Sequence, residues 1–289
     1  MNTLLRYPEG AGLGLRLGML GELFEDDDPR IPPEISFFEI APENWMQVGG
    51  ARGHALRKLT ERHTFVGHGL ALDLAGYAPL DTGHLRAIRR FLDLHHIGLY
   101  TEHLSFTRDG GHLHDLLPVP RTDAAVRHIA SRIQMAQDEL GQRIGIENAS
   151  TYLSTPLDVM ADDDFVVAVV EAADCDLHLD VNNVYVNAIN HVYDPYAWID
   201  HIARNIPRRV VYLHVAGHQR MADDFIVDTH GESVAPPVWH LLAHTYGRLG
   251  VRPTLLERDF EIPPITELLP DLRFIRKLQQ RHAQGGADG

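Results

Sequence analysis

The chain has 289 residues, 44% of them hydrophobic and 23% charged, with a formal net charge of −14. That length suits one large α/β barrel or two small domains, and the acidic balance argues against a partner such as duplex nucleic acid, whose phosphates need a basic face. No run of about 18 apolar residues is present to span a membrane.

The N-terminus is too short and broken for a secretory signal, so a cytoplasmic location is expected. One cysteine, Cys175, allows neither a disulfide framework nor a thiolate metal site; a small core residue is its expected role. The chain carries 19 histidines, several beside carboxylates. Composition therefore points toward His/Asp/Glu metal chemistry.

Eight short apolar runs follow one another at the spacing of βα units. They are Gly12–Arg16, Ser36–Ile40, Thr64–His68, Ile97–Thr101, Arg143–Glu147, Asp176–Asp180, Arg209–His214 and Arg252–Glu257. Helical patterns fall between them. Leu80 to His95 places Leu85, Ile88, Leu92 and His95 or His96 on one face, and Thr122 to Leu140 opens with a Thr122-Asp123 cap. Asp194-Pro195 and Pro236-Pro237 each start a helix, with Gly250 ending the second. A last helix, Ile265 to Arg281, precedes a Gly-rich tail at 283–289 that is expected to be disordered. Eight strand–helix units are the count of a (β/α)8 TIM barrel of the xylose-isomerase-like kind, forming a single domain over 1–289 with a core of about 10–275.

Nearly every run ends in a polar residue. The ends are Glu39 with Glu43 and Asn44, His68, Glu102-His103, Glu147-Asn148, Asp180 with Asn182 and Asn183, His214 with His218, and Glu257-Arg258-Asp259. The loop after the seventh run adds Asp228 and His230. A lone Glu at a strand end is ordinarily a cap or half of an ion pair. A barrel, however, brings all its strand ends to one cavity. Several carboxylates in a low dielectric are too costly without cations to neutralise them, so the pattern implies metal.

Imidazole and carboxylate donors without thiolate suit iron, manganese, zinc or cobalt. Glu147, Asp180, His214 and Glu257 can enclose one ion, Asp228 and His230 reach a second, and His68 with His103 share a third. With Asn183 these are nine donors, enough for two or three metals. Asn183 either ligates through its amide oxygen or orients Asp180. Asp180, Asn183 and His214 are also the candidates for catalytic contact. Neighbours on a strand alternate, so His103 is placed on the metal and Glu102 behind it. Glu39, Glu43, Asn44, Glu102, Asn148, Asn182 and His218 are expected to support the ligands or touch substrate. His178 is expected to fill the barrel one layer deeper. His112, His114 and Asp115 are candidates for the mouth, with solvated loop histidines as the alternative. The Asn-rich segment after Asp180 and the Asp109–Gly111 loop are candidates for gripping peptide backbone.

The motifs Phe38-Glu-Ile-Ala-Pro-Glu-Asn-Trp-Met46, His68-Gly-Leu-Ala-Leu72, Thr101-Glu-His-Leu-Ser-Phe106 and Glu147-Asn-Ala-Ser150 carry a resemblance. So do Leu179-Asp-Val-Asn-Asn-Val-Tyr-Val-Asn187, Leu213-His-Val-Ala-Gly-His218, Asp228-Thr-His-Gly231 and Leu256-Glu-Arg-Asp259. Together, over roughly 10 to 275, they resemble the multinuclear non-heme iron-dependent oxidases, the family that includes the methanobactin-forming oxidase. The resemblance implies a barrel holding two or three iron ions, Fe2+ or Fe3+, with O2 as co-substrate. It implies modification of cysteine in a ribosomally made precursor peptide. It also implies a small leader-recognition partner protein forming a heterodimer. The family's metal positions fall on His68, His103, Glu147, Asp180, His214, Asp228, His230 and Glu257, whereas the Asn183 position varies in type among subgroups.

Two other readings use the same barrel. A divalent-metal sugar isomerase or epimerase, or an endonuclease of the xylose-isomerase-like type, also places Glu, Asp and His at successive strand ends; a nuclease would need a basic rim, which this acidic chain does not suggest. A non-catalytic metal scaffold would show a saturated site.

Overall fold

The structure, a computed structural model, describes residues 5–108 and 111–285. Each of the eight apolar runs forms a strand: β1 Ala11–Gly14, β2 Phe37–Ile40, β3 Thr64–Gly69, β4 Leu99–His103, β5 Gly145–Glu147, β6 Asp176–Asp180, β7 Val210–Val215 and β8 Thr254–Leu256. They pair in parallel and close into a barrel in the order β1-β8-β7-β6-β5-β4-β3-β2. The helices outside are α1 Gly50–Arg62, α2 Thr82–His95, α3 Asp123–Leu140, α4 Asp162–Ala173, α5 Val181–His191, α6 Pro195–Asn205, α7 Pro236–Leu249 and α8 Ile265–Gly285.

Local chemistry explains the boundaries. The Asp81 carboxylate accepts from His84 N at 3.0 Å to start α2, and Thr122 Oγ1 accepts from Ala125 N at 3.1 Å to start α3. His96 takes the left-handed conformation after α2, so His95 is the buried member of that pair. Gly250 (φ 76°) closes α7.

The eight units are not uniform. β1 is followed by a 3-10 turn, Leu17–Glu22, and a short hairpin instead of an α-helix; Gly18 and Gly21 within that turn disfavour one. After β6 there are two helices, because Val192 turns left-handed and Asp194-Pro195 restarts the chain. The last helix continues past Arg281 to Gly285, into the tail expected to be disordered; 286–289 lie outside the described residues. No helix among the described residues is long and apolar enough to cross a membrane.

Two cores result. Outward-facing strand residues such as Phe38, Phe65, Leu179 and Leu213 pack under Leu85, Ile129, Val170, Leu241 and Leu272 from the helices. Inside the barrel, Phe37, Val66, Leu99, Tyr212 and Leu255 form a separate apolar layer. Gly12 makes room for it, since a Cβ there would stand 2.2 Å from the Phe37 ring. Because side chains repeat every second residue along a strand, the positions after this floor face inward as well. They are Glu39, His68, Thr101, His214 and Glu257. The apolar layer thus supports a polar one at the carboxyl ends of the strands.

Candidate metal centre

Four groups of donor atoms lie above the apolar layer, each within ligating reach of a single ion. They are His68, His103 and Glu147; Glu147, His178 and His214; Glu39, His214 and Glu257; and Asp180, His230 and Glu257. Glu147, His214 and Glu257 each belong to two groups. Shared carboxylates between neighbouring groups are the arrangement a multinuclear centre needs.

The first group is tight. His68 Nε2 lies 3.0 Å from Glu147 Oε2 and 3.2 Å from His103 Nε2, which is itself 3.4 Å from Glu147 Oε2. Thr101 Oγ1, on the adjacent strand, holds His68 Nδ1 at 2.7 Å. Glu102 points away: it accepts from Leu72 N at 3.1 Å and from the Tyr100 hydroxyl at 3.4 Å, and His103 N donates to its Oε1 at 3.0 Å. Burial disfavours charge on His103, but Glu147 and Glu102 outweigh it and raise its pKa to about 9.

In the third group, His214 Nε2 is 2.9 Å from Glu39 Oε2 and Nδ1 is 2.9 Å from Glu257 Oε2. Burial again opposes charge, and the two carboxylates hold the imidazole protonated far above its usual range. Glu39, expected to support the ligands or touch substrate, sits beside His214 and within reach of the same candidate ion as His214 and Glu257. Glu39 and His214 sit on strands separated by β1 and β8, yet a narrow barrel interleaves inward side chains of different strands in one layer. The Tyr212 hydroxyl donates to Glu39 Oε2 at 3.0 Å. His178, expected to fill the barrel, is fully buried, both ring nitrogens lack a hydrogen-bond partner, and it comes within reach of the same candidate ion as Glu147 and His214. Its place two residues before Asp180 on one strand was the signal for it.

Asp180 is the N-cap of α5, its Oδ1 accepting from Asn183 N at 2.8 Å. Asn148 clamps its backbone, Nδ2 donating to Asp180 O and Oδ1 accepting from Asp180 N, both at 2.9 Å. Burial, then repulsion from Glu147 and Asp228, pushes the Asp180 carboxyl well above its ordinary value. Asp228 contacts His230 Nε2 at 2.6 Å through Oδ1 and accepts from Asn182 Nδ2 at 2.8 Å and Ser150 Oγ at 3.2 Å. His218 Nδ1 holds Asn182 Oδ1 at 2.8 Å. His230, in a left-handed residue (φ 50°), turns Nδ1 toward Asp259 Oδ2 at 3.0 Å. That contact turns Nε2 toward Asp228, its neighbour among the candidate ligands.

The asparagines proposed to grip a peptide have their amides engaged within the protein. Asn182, Asn183 and Asn187 are buried on the first turns of α5, and their amides bond inward. Asn183 Nδ2 donates to Glu147 Oε1 and to Asn148 O, and Asn187 ties Thr151 N and Ala149 O. The helix begins directly at Val181, so no extended segment remains to pair with a peptide. Glu43 also stays apart from the donor groups, accepting from Leu70 N at 3.1 Å. Asn44 lines the mouth. Residues 109 and 110 and the side chains of His112, His114 and Asp115 lie outside what is described.

The donor set fits metal ions. Asp180 Oδ2, Asn183 Oδ1 and both His178 nitrogens are buried without a hydrogen-bond partner, while Glu147 Oε2 and His230 Nε2 meet only other candidate ligands. Natural interiors leave such atoms unpaired rarely, and here they converge. Above them opens a cleft of about 790 Å³, with His68, His103, Asp228, His230 and Glu257 at its base and Leu70, Leu117, Tyr152, Leu153 and Phe260 around it.

A family model for the RiPP precursor modification enzymes MbnB/TglH/ChrH matches residues 10–280. The chain belongs to this family. RiPPs are ribosomally made, post-translationally modified peptides, and family members act on their precursors. A UPF0276 protein of Nitrosospira multiformis is 51% identical over 97% of this chain and 98% of its own length. One of Pseudomonas aeruginosa is 49% identical over 96% and 95%. Among solved structures, endonuclease IV from Thermus thermophilus superposes with a TM-score of 0.61 at 18% identity, covering 94% of this chain and all of the other. A xylose isomerase domain protein from Planctomyces limnophilus gives 0.59 at 15%, covering 96% and 100%. At such identities these two show the barrel type alone, a xylose-isomerase-like TIM barrel.

Proposed function

We propose that this MbnB/TglH/ChrH family member is a multinuclear, iron-dependent oxidase that uses O2 to modify cysteine in a precursor peptide. The observation that carries the reading is the set of four overlapping donor groups joined through Glu147, His214 and Glu257. A single Lewis-acid ion needs four to six donors; this layer offers twice that many candidates, with orphaned atoms throughout.

Iron, when bound, supplies the redox chemistry that no side chain of this set provides. The chain's own part is to hold, orient and shield. His68, His103, Glu147, Asp180, His214, Asp228, His230 and Glu257 hold the ions, with Glu39 and His178 in reach and Asn183 offering its amide oxygen. Thr101, Tyr212, Asn148, Asn182, His218 and Asp259 fix those donors. The cleft above, of about 790 Å³, would receive the peptide segment, and the apolar side chains that line it would exclude water from it. A small separate protein that reads the peptide's leader, forming a heterodimer with this chain, completes the proposal.

Metal content after anaerobic purification tests it, by elemental analysis with Mössbauer spectroscopy of iron-57-grown protein. Two or three coupled irons per chain, with O2 uptake on addition of the precursor peptide, is the expected result. One zinc or manganese per chain, with iron neither present nor taken up, would overturn it in favour of isomerase- or endonuclease-type chemistry.

A further inference from the structure

The cleft is acidic. Glu39, Asp228, Glu257 and Asp259 all line it, and among the described residues Arg16 is its one lysine or arginine. Arg16 follows β1 in an extended conformation, and its guanidinium folds back over Gly14. A Cβ on Gly14 would stand 2.9 Å from Nη1, so the bare backbone leaves the guanidinium its seat. Nη2 is bonded to Asp259 Oδ1, the side chain's one hydrogen bond to a described residue. Asp259 Oδ2 is engaged separately by His230 Nδ1. Glu257 and Glu39 also lie in the field of the guanidinium, yet it hydrogen-bonds neither of them, and arginine's fork can take a carboxylate by two parallel bonds. Here the fork is half used, and the remaining N–H groups open to the cleft, where the side chain retains 24% exposure.

We propose that Arg16 is a specificity residue that binds a carboxylate of the substrate peptide, from its C-terminus or from an acidic side chain. The proposal rests on the reading that the cleft receives a peptide. Away from the candidate metal ligands, Arg16 is the one group of the described lining that offers an anion a planar donor set matched to its shape. The Arg16–Asp259–His230 chain links this seat to the candidate ligand His230 through two hydrogen bonds. A carboxylate held there places the reacting residue of the peptide within a residue or so of its own anion.

The test uses metal-reconstituted full-length protein without O2, so that binding is read without turnover. Three fluorescein-labelled probes are compared by anisotropy: Gly-Ala-Ala-Cys with a free C-terminus, the same peptide as its amide, and Gly-Asp-Ala-Cys amide. One anionic probe is expected to bind roughly ten- to a hundredfold tighter than the neutral amide, the usual range for a charge-assisted pair. Which one does so names the source of the carboxylate. The preference is expected to vanish in Arg16→Gln and to survive in part in Arg16→Lys, which keeps charge but not the planar fork.

Equal binding of all three probes, or binding of none, overturns the proposal, as does an undiminished preference in Arg16→Gln. If Arg16→Gln fails to fold, as judged by its thermal transition, the wild-type comparison and Arg16→Lys decide. Metal content is measured on the same preparation. Iron present without a carboxylate preference removes the role of Arg16 alone. Iron absent removes the oxidase reading, whatever the probes do.

Discussion

The Nε2 atoms of His68 and His103 lie 3.2 Å apart, both facing the same oxygen of Glu147. Two neutral imidazole lone pairs and a carboxylate oxygen would repel at this distance; a shared proton or a shared cation reconciles them. Glu147 also belongs to the group with His178 and His214, so under the proposed reading it would serve two of the candidate ion sites. Glu147→Gln should therefore lower metal occupancy by more than Asp228→Asn does, since Asp228 lies at the edge beside His230. Elemental analysis of the two variants, prepared identically, checks this; equal losses would remove the bridging role.

Thr101 tests positioning in contrast to ligation. Its hydroxyl sits 2.7 Å from His68 Nδ1 in a fully buried place on β4. Thr101→Val keeps the volume and removes the partner. Metal affinity should fall about tenfold, as for other partners of metal-bound histidines. Stability of the metal-free protein should fall by about 1–2 kcal/mol from the unpaired buried nitrogen. Thr101→Ser should restore the affinity, and titration with Co²⁺ followed by visible absorption reads all three proteins.

Metal should also stabilise the fold. Asp180, Glu147, Glu257 and Glu39 are fully or almost fully buried within one layer, and ions that bind them in the native state but not in the unfolded chain shift the equilibrium. At a hundredfold excess over the dissociation constant one ion contributes about 2.7 kcal/mol. For a chain of this size that corresponds to a rise in Tm of about 4 °C. Scanning calorimetry with and without Fe²⁺, and after a chelator, measures it; a Tm indifferent to metal contradicts the site.

His95 makes stability depend on pH away from the metals. It is buried at the end of α2 with Thr60 Oγ1 at 2.9 Å from Nδ1. Burial, with Arg57 nearby, lowers its pKa to about 4. The unfolded chain binds this proton near pH 6.5, so between pH 6.5 and 4 the unfolded state holds more protons and stability rises with pH. The contribution is fully present above 6.5 and is lost on acidification through that window. At pH 5 the loss is about 1–2 kcal/mol, allowing for partial solvent access. Urea unfolding at pH 7.5 and 5.0 should show a smaller pH difference in His95→Gln by about that amount.

Much of the site is legible because a barrel turns a one-dimensional regularity into a place. The apolar-then-polar ending of each run marks a strand whose carboxyl end is open, and His68, Glu147, Asp180, His214 and Glu257 all lie at such ends. The alternation of side chains also separates His103 from Glu102 without coordinates. The asparagines after Asp180 mislead because local composition is silent on helix capping. Asp180 closes the first turn of α5, and the amides that looked available are drawn into bonds with Glu147, Asp228 and Ala149. The first unit misleads in another way, since two glycines replace a helix by a 3-10 turn.

The order of elements, the closed parallel barrel and the donor types were determined by the sequence itself. Each depends on local patterning: period two in strands, apolar stripes and caps in helices, and short connections that force right-handed parallel crossovers. What the tertiary structure alone decided is which candidate donors come within reach of one another. Glu39 meets His214 across two intervening strands, His178 joins Glu147 on its neighbour, and Arg16 reaches Asp259 from the opposite end of the chain. Those meetings depend on the stagger and narrow bore of the closed barrel, which no local run of residues encodes.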